Sequence, residues 1–341
     1  MYESFYGLSA KPFRLRPDPH FFFGSKGHKR AMAYLEYGLS QGEGFIVITG
    51  EVGAGKTTLV RNLFNKLSSE QIVAAHIVNT HLDSDDTLRM VVSAFGLPYE
   101  NVSKADLLTR LEQFLRASDQ QGRRALLVVD EAQNLKPGTV EELRMLSNFQ
   151  TDDKCLLQTF LIGQPEFRGT LHSPGMQQLR QRVIASYHLG PMDAEETKLY
   201  IEHRLTTVGW KGDPAFSDGA HDAIFAYTGG IPRKVNTLCD RLLLMGFLEE
   251  MHSFSESDVA DVIRDISQEF DVPVTPELPP ARAAASGSHD ELGDLPLSET
   301  SPLLDERMMR LEKSVVSVLN ILKKIVATPA GANSPLNHNN E

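Results

Sequence analysis

Two textures of apolar residues alternate along the first half of the chain. Largely apolar runs at residues 45–48, 72–78, 125–129 and 155–162 have the length and β-branched content of strands buried on both faces. Between them, apolar positions recur at helical spacing over 26–39, from Lys56 onward, and over 87–95, 104–117 and 140–148. Thr139 and Glu142 have the spacing of a capping box that would open the last of these helices. This βαβα alternation predicts an α/β fold, a parallel sheet sandwiched by helices, over residues 45–190. From Asp193 the strands stop. Short helices with nameable starts follow at Asp193 with Glu196, at Ser217, at Pro232 after Gly229-Gly230, and at Ser255, so residues 191–270 read as a small all-α unit.

The remaining stretches differ in kind. Residues 271–303 are rich in Pro, Ala and acidic side chains and read as a disordered linker. Leu304, Met308, Leu311, Val315, Val318, Leu322 and Ile325 then alternate spacings of four and three, a heptad seam over 304–327. So short a coiled-coil-like helix needs a partner strand or a docking groove, unless it folds back on its own core. Residues 328–341 read as a disordered tail.

The strand at 45–48 runs straight into Gly50-Glu51-Val52-Gly53-Ala54-Gly55-Lys56-Thr57-Thr58, which fits G-x-x-x-x-G-K-[ST]. A triphosphate presents dense negative charge. Several backbone N–H groups must converge on it, which a Gly-rich turn leading into a helix N-terminus permits. In this pattern Lys56 reaches the β/γ-phosphates and Thr57 ligates Mg²⁺. The strand at 125–129 ends in Asp130-Glu131, at the edge where open parallel sheets bind ligands. Asp130 can hold the Mg²⁺ shell while Glu131 polarises the attacking water. Gln164, after the next strand, would sit beside the γ-phosphate to sense it or position water, unless it is a surface glutamine. Arg180 and Arg182 are candidates for a transition-state cation supplied in trans by an oligomer, or are simply solvated or paired. Arg233 would sit in the first turn of a helix, where a cation opposes the dipole, and so suggests a phosphate partner, unless it is a surface arginine. The aromatic, Pro-punctuated lead-in of residues 1–44, with Phe21, Phe22 and Phe23, either walls the base pocket or packs structurally.

Composition narrows the partners. The chain has 341 residues and a formal net charge of −11, which gives no broad field for nucleic-acid phosphates. Lys11, Arg14, Arg16, Lys26, Lys29 and Arg30 form a local basic cluster that reads most simply as a solvated face. Cys155 and Cys239 lie in apolar patterns and read as core thiols of a reducing compartment. No apolar run is long enough to span a bilayer and the N-terminus lacks signal-peptide character, so a cytoplasmic protein is expected.

With the phosphate loop, Val128-Val129-Asp130-Glu131, Gln164, Arg182 and Gly230-Ile231-Pro232-Arg233 in this order, residues 1–270 resemble an AAA+ ATPase. Phe5-Tyr6-Gly7-Leu8, Lys11-Pro12-Phe13, Pro17-Asp18-Pro19 and Asp130-Glu131-Ala132-Gln133-Asn134 resemble the general secretion pathway protein A (ExeA-type) group. Within it, they look most like the soluble secretion ATPases of PEP-CTERM/exosortase loci. The resemblance implies Walker A at Gly50–Thr57, Walker B at Asp130 and Glu131, sensor 1 at Gln164, an arginine finger at Arg182 and sensor 2 at Arg233. It also implies ATP and Mg²⁺ as cofactors, a homo-oligomer, and a protein partner in an envelope or exopolysaccharide assembly system, which would place the chain peripherally at the inner membrane. Gln164 departs from the Asn, Ser or Thr that many AAA+ proteins carry there. The longer secretion ATPases continue through a membrane helix into a peptidoglycan-binding module, so cell-wall binding is not carried over. Two other functions fit the same core: a DNA-associated regulator of the transposition or origin-recognition type, and a low-turnover ATP-dependent switch.

Overall fold

The apolar runs of the sequence meet at the centre of the protein as a five-stranded, all-parallel sheet in the order β2-β3-β4-β1-β5. The strands are β1 (Phe45–Gly50), β2 (Ile72–Ile77), β3 (Arg124–Val129), β4 (Leu157–Gly163) and β5 (Val183–Leu189). A computed structural model describes residues 1–67, 71–78 and 84–270. The expected linker, heptad helix and tail lie outside these residues.

Strand alternation sorts the sheet's side chains into two cores. Phe45, Val47, Leu127, Val129 and Leu161 face one side, under α4 (Ser84–Ala94), α5 (Lys104–Gln120), α6 (Pro137–Leu146), α7 (Glu166–His172) and α8 (Gln177–Arg180). Ile46, Ile48, Leu126, Val128 and Phe160 face the other, under α2 (Lys26–Gln41) and α3 (Lys56–Lys66). The three central strands are buried almost throughout, as their largely apolar runs require, the polar Gln158 and Thr159 of β4 included. The run at 72–78, expected as a buried strand, is instead the edge strand β2, with Ala74 exposed.

A third core joins the two ends of the described chain. Tyr2 of α1 (Tyr2–Phe5), Tyr6, Phe13 and Phe21 pack against α9 (Ala194–Thr207), α10 (Asp218–Thr228), α11 (Pro232–Leu248) and α12 (Glu256–Phe270). The starts read from sequence form there. Asp193 and Glu196 make a reciprocal capping box, Ser217 accepts the Ala220 N–H, Pro232 occupies the first position of α11, and Ser255 donates its N–H to Asp258. This region is not wholly helical: β6 (Ala215–Phe216) and β7 (Ser253–Phe254) form a short parallel pair. The capping box expected at Thr139 is also overturned. α6 begins three residues before the expected Val140, at Pro137, whose missing N–H is no loss at a first helical position, and Thr139 is buried inside the helix.

Candidate active site

The sheet order seats β4 between β1 and β3, so the C-terminal ends of these three strands adjoin. From β1 the chain turns through Gly53 (φ 84°) and Gly55 (φ 93°), left-handed conformations that cost a Cβ-bearing residue roughly 1–2 kcal/mol. Gly55 then caps α3, whose N-terminus faces the cavity at the sheet edge. Lys56 folds back over the turn, donating through Nζ to the carbonyls of Gly50 (2.6 Å) and Glu51 (2.9 Å). Burial pulls its pKa below the usual lysine value, against the opposing pull of the Asp130 and Glu131 carboxylates. Ala54 is buried behind the loop, while Val52, Gly53, Thr57 and Thr58 line the cavity.

Asp130 follows the last residue of β3 and is 4% exposed. Its carboxylate accepts the Thr57 hydroxyl at 3.0 Å and the Glu131 N–H at 2.9 Å. A hydroxyl and a carboxylate from two different elements are thus held together as a pair of hard oxygen donors. This fits Mg²⁺, which takes one or two protein oxygens and completes its shell with phosphates and water. Among the described residues, no group of three or more His, Cys, Asp and Glu forms an all-protein metal cage.

Glu131 has φ 56°, a left-handed conformation rare for a residue with a side chain and found preferentially at functional sites. Gln133, in the short 3₁₀ turn Ala132–Asn134, donates through Nε2 to the Glu131 carboxylate at 2.6 Å. Its Oε1 accepts the backbone N–H of Gln164, at the end of β4, at 2.9 Å. One amide therefore links the ends of two adjacent strands. Gln133 was legible in sequence only as part of the Asp130–Asn134 motif, with no role attached.

The opposite wall comes from the third core. The backbone N–H of Arg233, in the first turn of α11, donates to the Gly53 carbonyl at 3.2 Å, and the Arg233 side chain lines the cavity with Gln164 and Glu131. Phe21, Phe22 and Phe23 also line it, so the aromatic lead-in both packs into the third core and walls the site. Arg204, only 6% exposed, holds this wall. It donates to the carbonyls of Pro12 (2.6 Å) and Arg14 (3.1 Å) and to the Tyr200 hydroxyl (3.0 Å), with its guanidinium 4.7 Å from the Phe21 ring centre. No local sequence signal marks Arg204 as part of this wall, because its partners in the lead-in, Pro12, Arg14 and Phe21, lie some 180 to 190 residues away.

Arg182 stands apart. It precedes β5, and its carbonyl accepts the N–H of Phe45 at the start of β1, so it lies at the opposite end of the strands from the phosphate loop. Six residues of strand separate the two, roughly 20 Å at the usual rise. Its guanidinium donates to the Arg144 carbonyl (3.3 Å), the Ser147 hydroxyl and the Asn148 side chain (2.6 Å). Arg180 donates to the Leu171 carbonyl at 2.8 Å. Neither arginine lines the cavity at the glycine-rich loop of its own chain.

Fold and loop together define the class. Residues 39–171 match the AAA domain family, and the five-stranded parallel sheet with its glycine-rich loop has the α/β fold of P-loop NTPases. The particular relationship is to general secretion pathway protein A of Aeromonas hydrophila, 40% identical over 268 residues, which are 78% of this chain and 49% of that protein. The chain thus spans about half the length of this relative. Among solved structures, Cdc6p from Pyrobaculum aerophilum superposes with a TM-score of 0.57 at 17% identity, covering 77% of this chain and 71% of that one. Aeropyrum pernix ORC1 in complex with DNA gives a TM-score of 0.56 at 16% identity, covering 76% and 70%. At these identities the likeness is one of fold. No helix among the described residues is long and apolar enough to cross a membrane.

Proposed function

We propose that this chain binds ATP with Mg²⁺ and hydrolyses it to ADP and phosphate, and that the nucleotide cycle drives or regulates assembly of an envelope secretion system. The single observation that carries the chemistry is the hydrogen-bonded series Thr57–Asp130–Glu131–Gln133–Gln164, which brings the ends of three elements to one cavity wall. Lys56 and the α3 N-terminus bind the phosphates. Glu131, held by Gln133, accepts the proton of the attacking water as that water adds to the γ-phosphorus and the bond to the β-phosphate oxygen breaks. Gln164 orients the water or the γ-phosphate, and Arg233 neutralises phosphate charge from the opposite wall. A bound Mg²⁺ would be held by Thr57 and Asp130 and would offset charge on the phosphate oxygens.

Arg182, far from its own chain's loop, acts in trans in a homo-oligomer, reaching a neighbour's nucleotide. The secretion role rests on the relationship to general secretion pathway protein A. The finer placement, in a PEP-CTERM/exosortase or exopolysaccharide system and at the inner membrane through a protein partner, rests on the sequence motifs alone. Residues 45–190 serve as the nucleotide-binding domain and 191–270 as a lid that carries Arg233. Steady-state hydrolysis with and without DNA, at several ionic strengths, tests the reading. Mg²⁺-dependent turnover indifferent to DNA supports it. Salt-sensitive stimulation by DNA points instead to a DNA-associated regulator, and tight ATP binding without turnover to a switch.

A further inference from the structure

Asn236 lies one turn beyond Arg233 on α11 and so on the same face, among the buried residues of that helix with Val235, Leu238 and Cys239. It is 6% exposed. Asparagine is a poor residue for a helix interior and, when buried, needs partners for its carbonyl and for its amide hydrogens. Only the carbonyl has one. Oδ1 accepts the Tyr200 hydroxyl at 2.8 Å, whereas Nδ2 makes no hydrogen bond among the described residues, and Asn236 lines the cavity.

The direction of these bonds is set from their far end. A guanidinium has five N–H donors and no acceptor. Arg204 donates through Nε to the Pro12 carbonyl, through Nη2 to the Arg14 carbonyl and through Nη1 to the Tyr200 hydroxyl at 3.0 Å. The Tyr200 oxygen is therefore an acceptor toward Arg204, and its own hydrogen must go to another acceptor. Asn236 Oδ1 is that acceptor, which leaves the amide NH₂ at the opposite end. Flipping the amide would bring Nδ2 to the tyrosine and leave the buried hydroxyl hydrogen without an acceptor.

An unused donor in this place fits one part of a nucleotide. On the ATP reading the phosphates lie at the glycine-rich loop. A ribose hydroxyl donates as well as accepts, and so calls for an acceptor beside the donor, whereas a heterocyclic ring nitrogen only accepts. The wall beside Asn236 is also aromatic: Tyr200 and Phe21 line the same cavity, with the Arg204 guanidinium 4.7 Å from the Phe21 ring centre. We propose that Asn236 reads the nucleobase: the relay Arg204–Tyr200–Asn236 turns the amide N–H groups into the cavity, where they donate to a ring nitrogen of adenine. The inference rests on the reading of this cavity as an ATP site.

The test uses the full chain with Asn236→Leu, which keeps the bulk and removes the donor, and Tyr200→Phe, which removes the hydroxyl that orients the amide. Affinities are measured by titration, with thermal melting alongside, for MgATP, for magnesium tripolyphosphate, which has no nucleoside, and for 1-deaza-, 3-deaza- and 7-deaza-ATP. Expected are a loss of about tenfold or more for MgATP in Asn236→Leu, a smaller loss of about three- to tenfold in Tyr200→Phe, and tripolyphosphate affinity within about twofold of wild type in both. One deaza analogue should bind the wild-type chain about tenfold more weakly than ATP and show no further loss in Asn236→Leu. Wild-type affinity for ATP in either variant overturns the inference, as do equal losses for ATP and tripolyphosphate, which mark a structural role. A loss in Asn236→Leu that persists in full with all three deaza analogues overturns it too, since the amide then meets something other than the base. Where Asn236→Leu fails to fold, equal binding of ATP and all three deaza analogues by the wild-type chain overturns it. Binding of neither MgATP nor magnesium tripolyphosphate by the wild-type chain overturns the nucleotide-site reading itself, and this inference with it.

Discussion

The backbone N–H of Arg233 donates to the carbonyl of Gly53, so α11 of the third core touches the phosphate loop directly. The two backbones approach so closely that a Cβ on Gly53 would lie 2.4 Å from the Arg233 Cβ, and Gly53 itself has φ 84°. Gly53→Ala therefore meets backbone strain and a collision that only displacement of α11 or of the loop can relieve. ATP affinity should fall by about tenfold or more while the sheet core stays folded. Isothermal titration together with far-UV circular dichroism checks this, and unchanged affinity would mean that the contact is dispensable.

Binding and chemistry should separate between Lys56 and Glu131. On the proposed reading Lys56→Ala removes a cation that meets the phosphates in the ground state, so ATP binding should weaken. Glu131→Gln leaves the loop intact and should keep ATP bound while turnover drops roughly 10²-fold or more, the scale for losing a positioned base. Single-turnover hydrolysis beside nucleotide titration separates the two, and full turnover in Glu131→Gln removes the assignment.

Gln133 gives a finer test of the same wall. Gln133→Leu removes both the donor to Glu131 and the acceptor for the Gln164 N–H, at 2.6 Å and 2.9 Å, without removing either site residue. The expected result is a fall of about tenfold in kcat with ATP affinity changed by less than about threefold. A loss confined to affinity would assign Gln133 to nucleotide binding instead.

Arg182 sits at the far end of the strands, so its contribution should appear only between chains. Arg182→Ala alone should lower turnover by on the order of 10³-fold if it supplies a transition-state cation. Mixing it with Lys56→Ala subunits should restore part of the activity, because each lends the part its neighbour lacks. Absence of rescue in verified mixed oligomers would turn attention to Arg180 or to a packing role, since Arg182 already donates to Arg144, Ser147 and Asn148.

Acid should destabilise the fold in a defined window. Burial lowers the pKa values of His28, His203 and His221 from the ordinary 6.5. Below about pH 6.5 the unfolded chain binds protons that the folded chain does not, so stability is full above that value and falls as pH drops through it. A buried neutral histidine such as His28 contributes a slope of up to about 1.4 kcal/mol per pH unit. Urea melts from pH 7.5 to 5.5 should show the decline, and His28→Gln should make it shallower. A decline confined to the region below pH 4.5 would attribute it to carboxylates such as Asp193 and Glu141, whose pKa values are lowered by their Lys26 and Arg144 partners.

Much of this protein was legible in order along the chain. The phosphate loop, the Asp130-Glu131 strand end, the βα alternation and the Asp193–Glu196 capping box are local patterns, carried by residues a few positions apart. Steric limits on the backbone and hydrophobic periodicity act over that range, so the sequence by itself determined them. Even so, local reading failed where a nearer competitor won: Pro137 displaced Thr139 as the opening of α6, and β2 fell at a sheet edge, which no property of its own six residues dictates.

Only the tertiary structure decided the rest. The strand order seats β4 beside both β1 and β3 and so joins Gln164 through Gln133 to Glu131. The packing of Tyr2, Phe13 and Phe21 against α9 and α11 brings Arg204 and Arg233 to the cavity, and the close seating of α2 beneath the loop makes His28 a neighbour of Gly55. Apart from the Gln133–Glu131 bond, these contacts join residues from about 27 to about 240 positions apart. Their formation depends on which buried surfaces meet when the whole core closes, a cooperative choice that no short window of sequence contains.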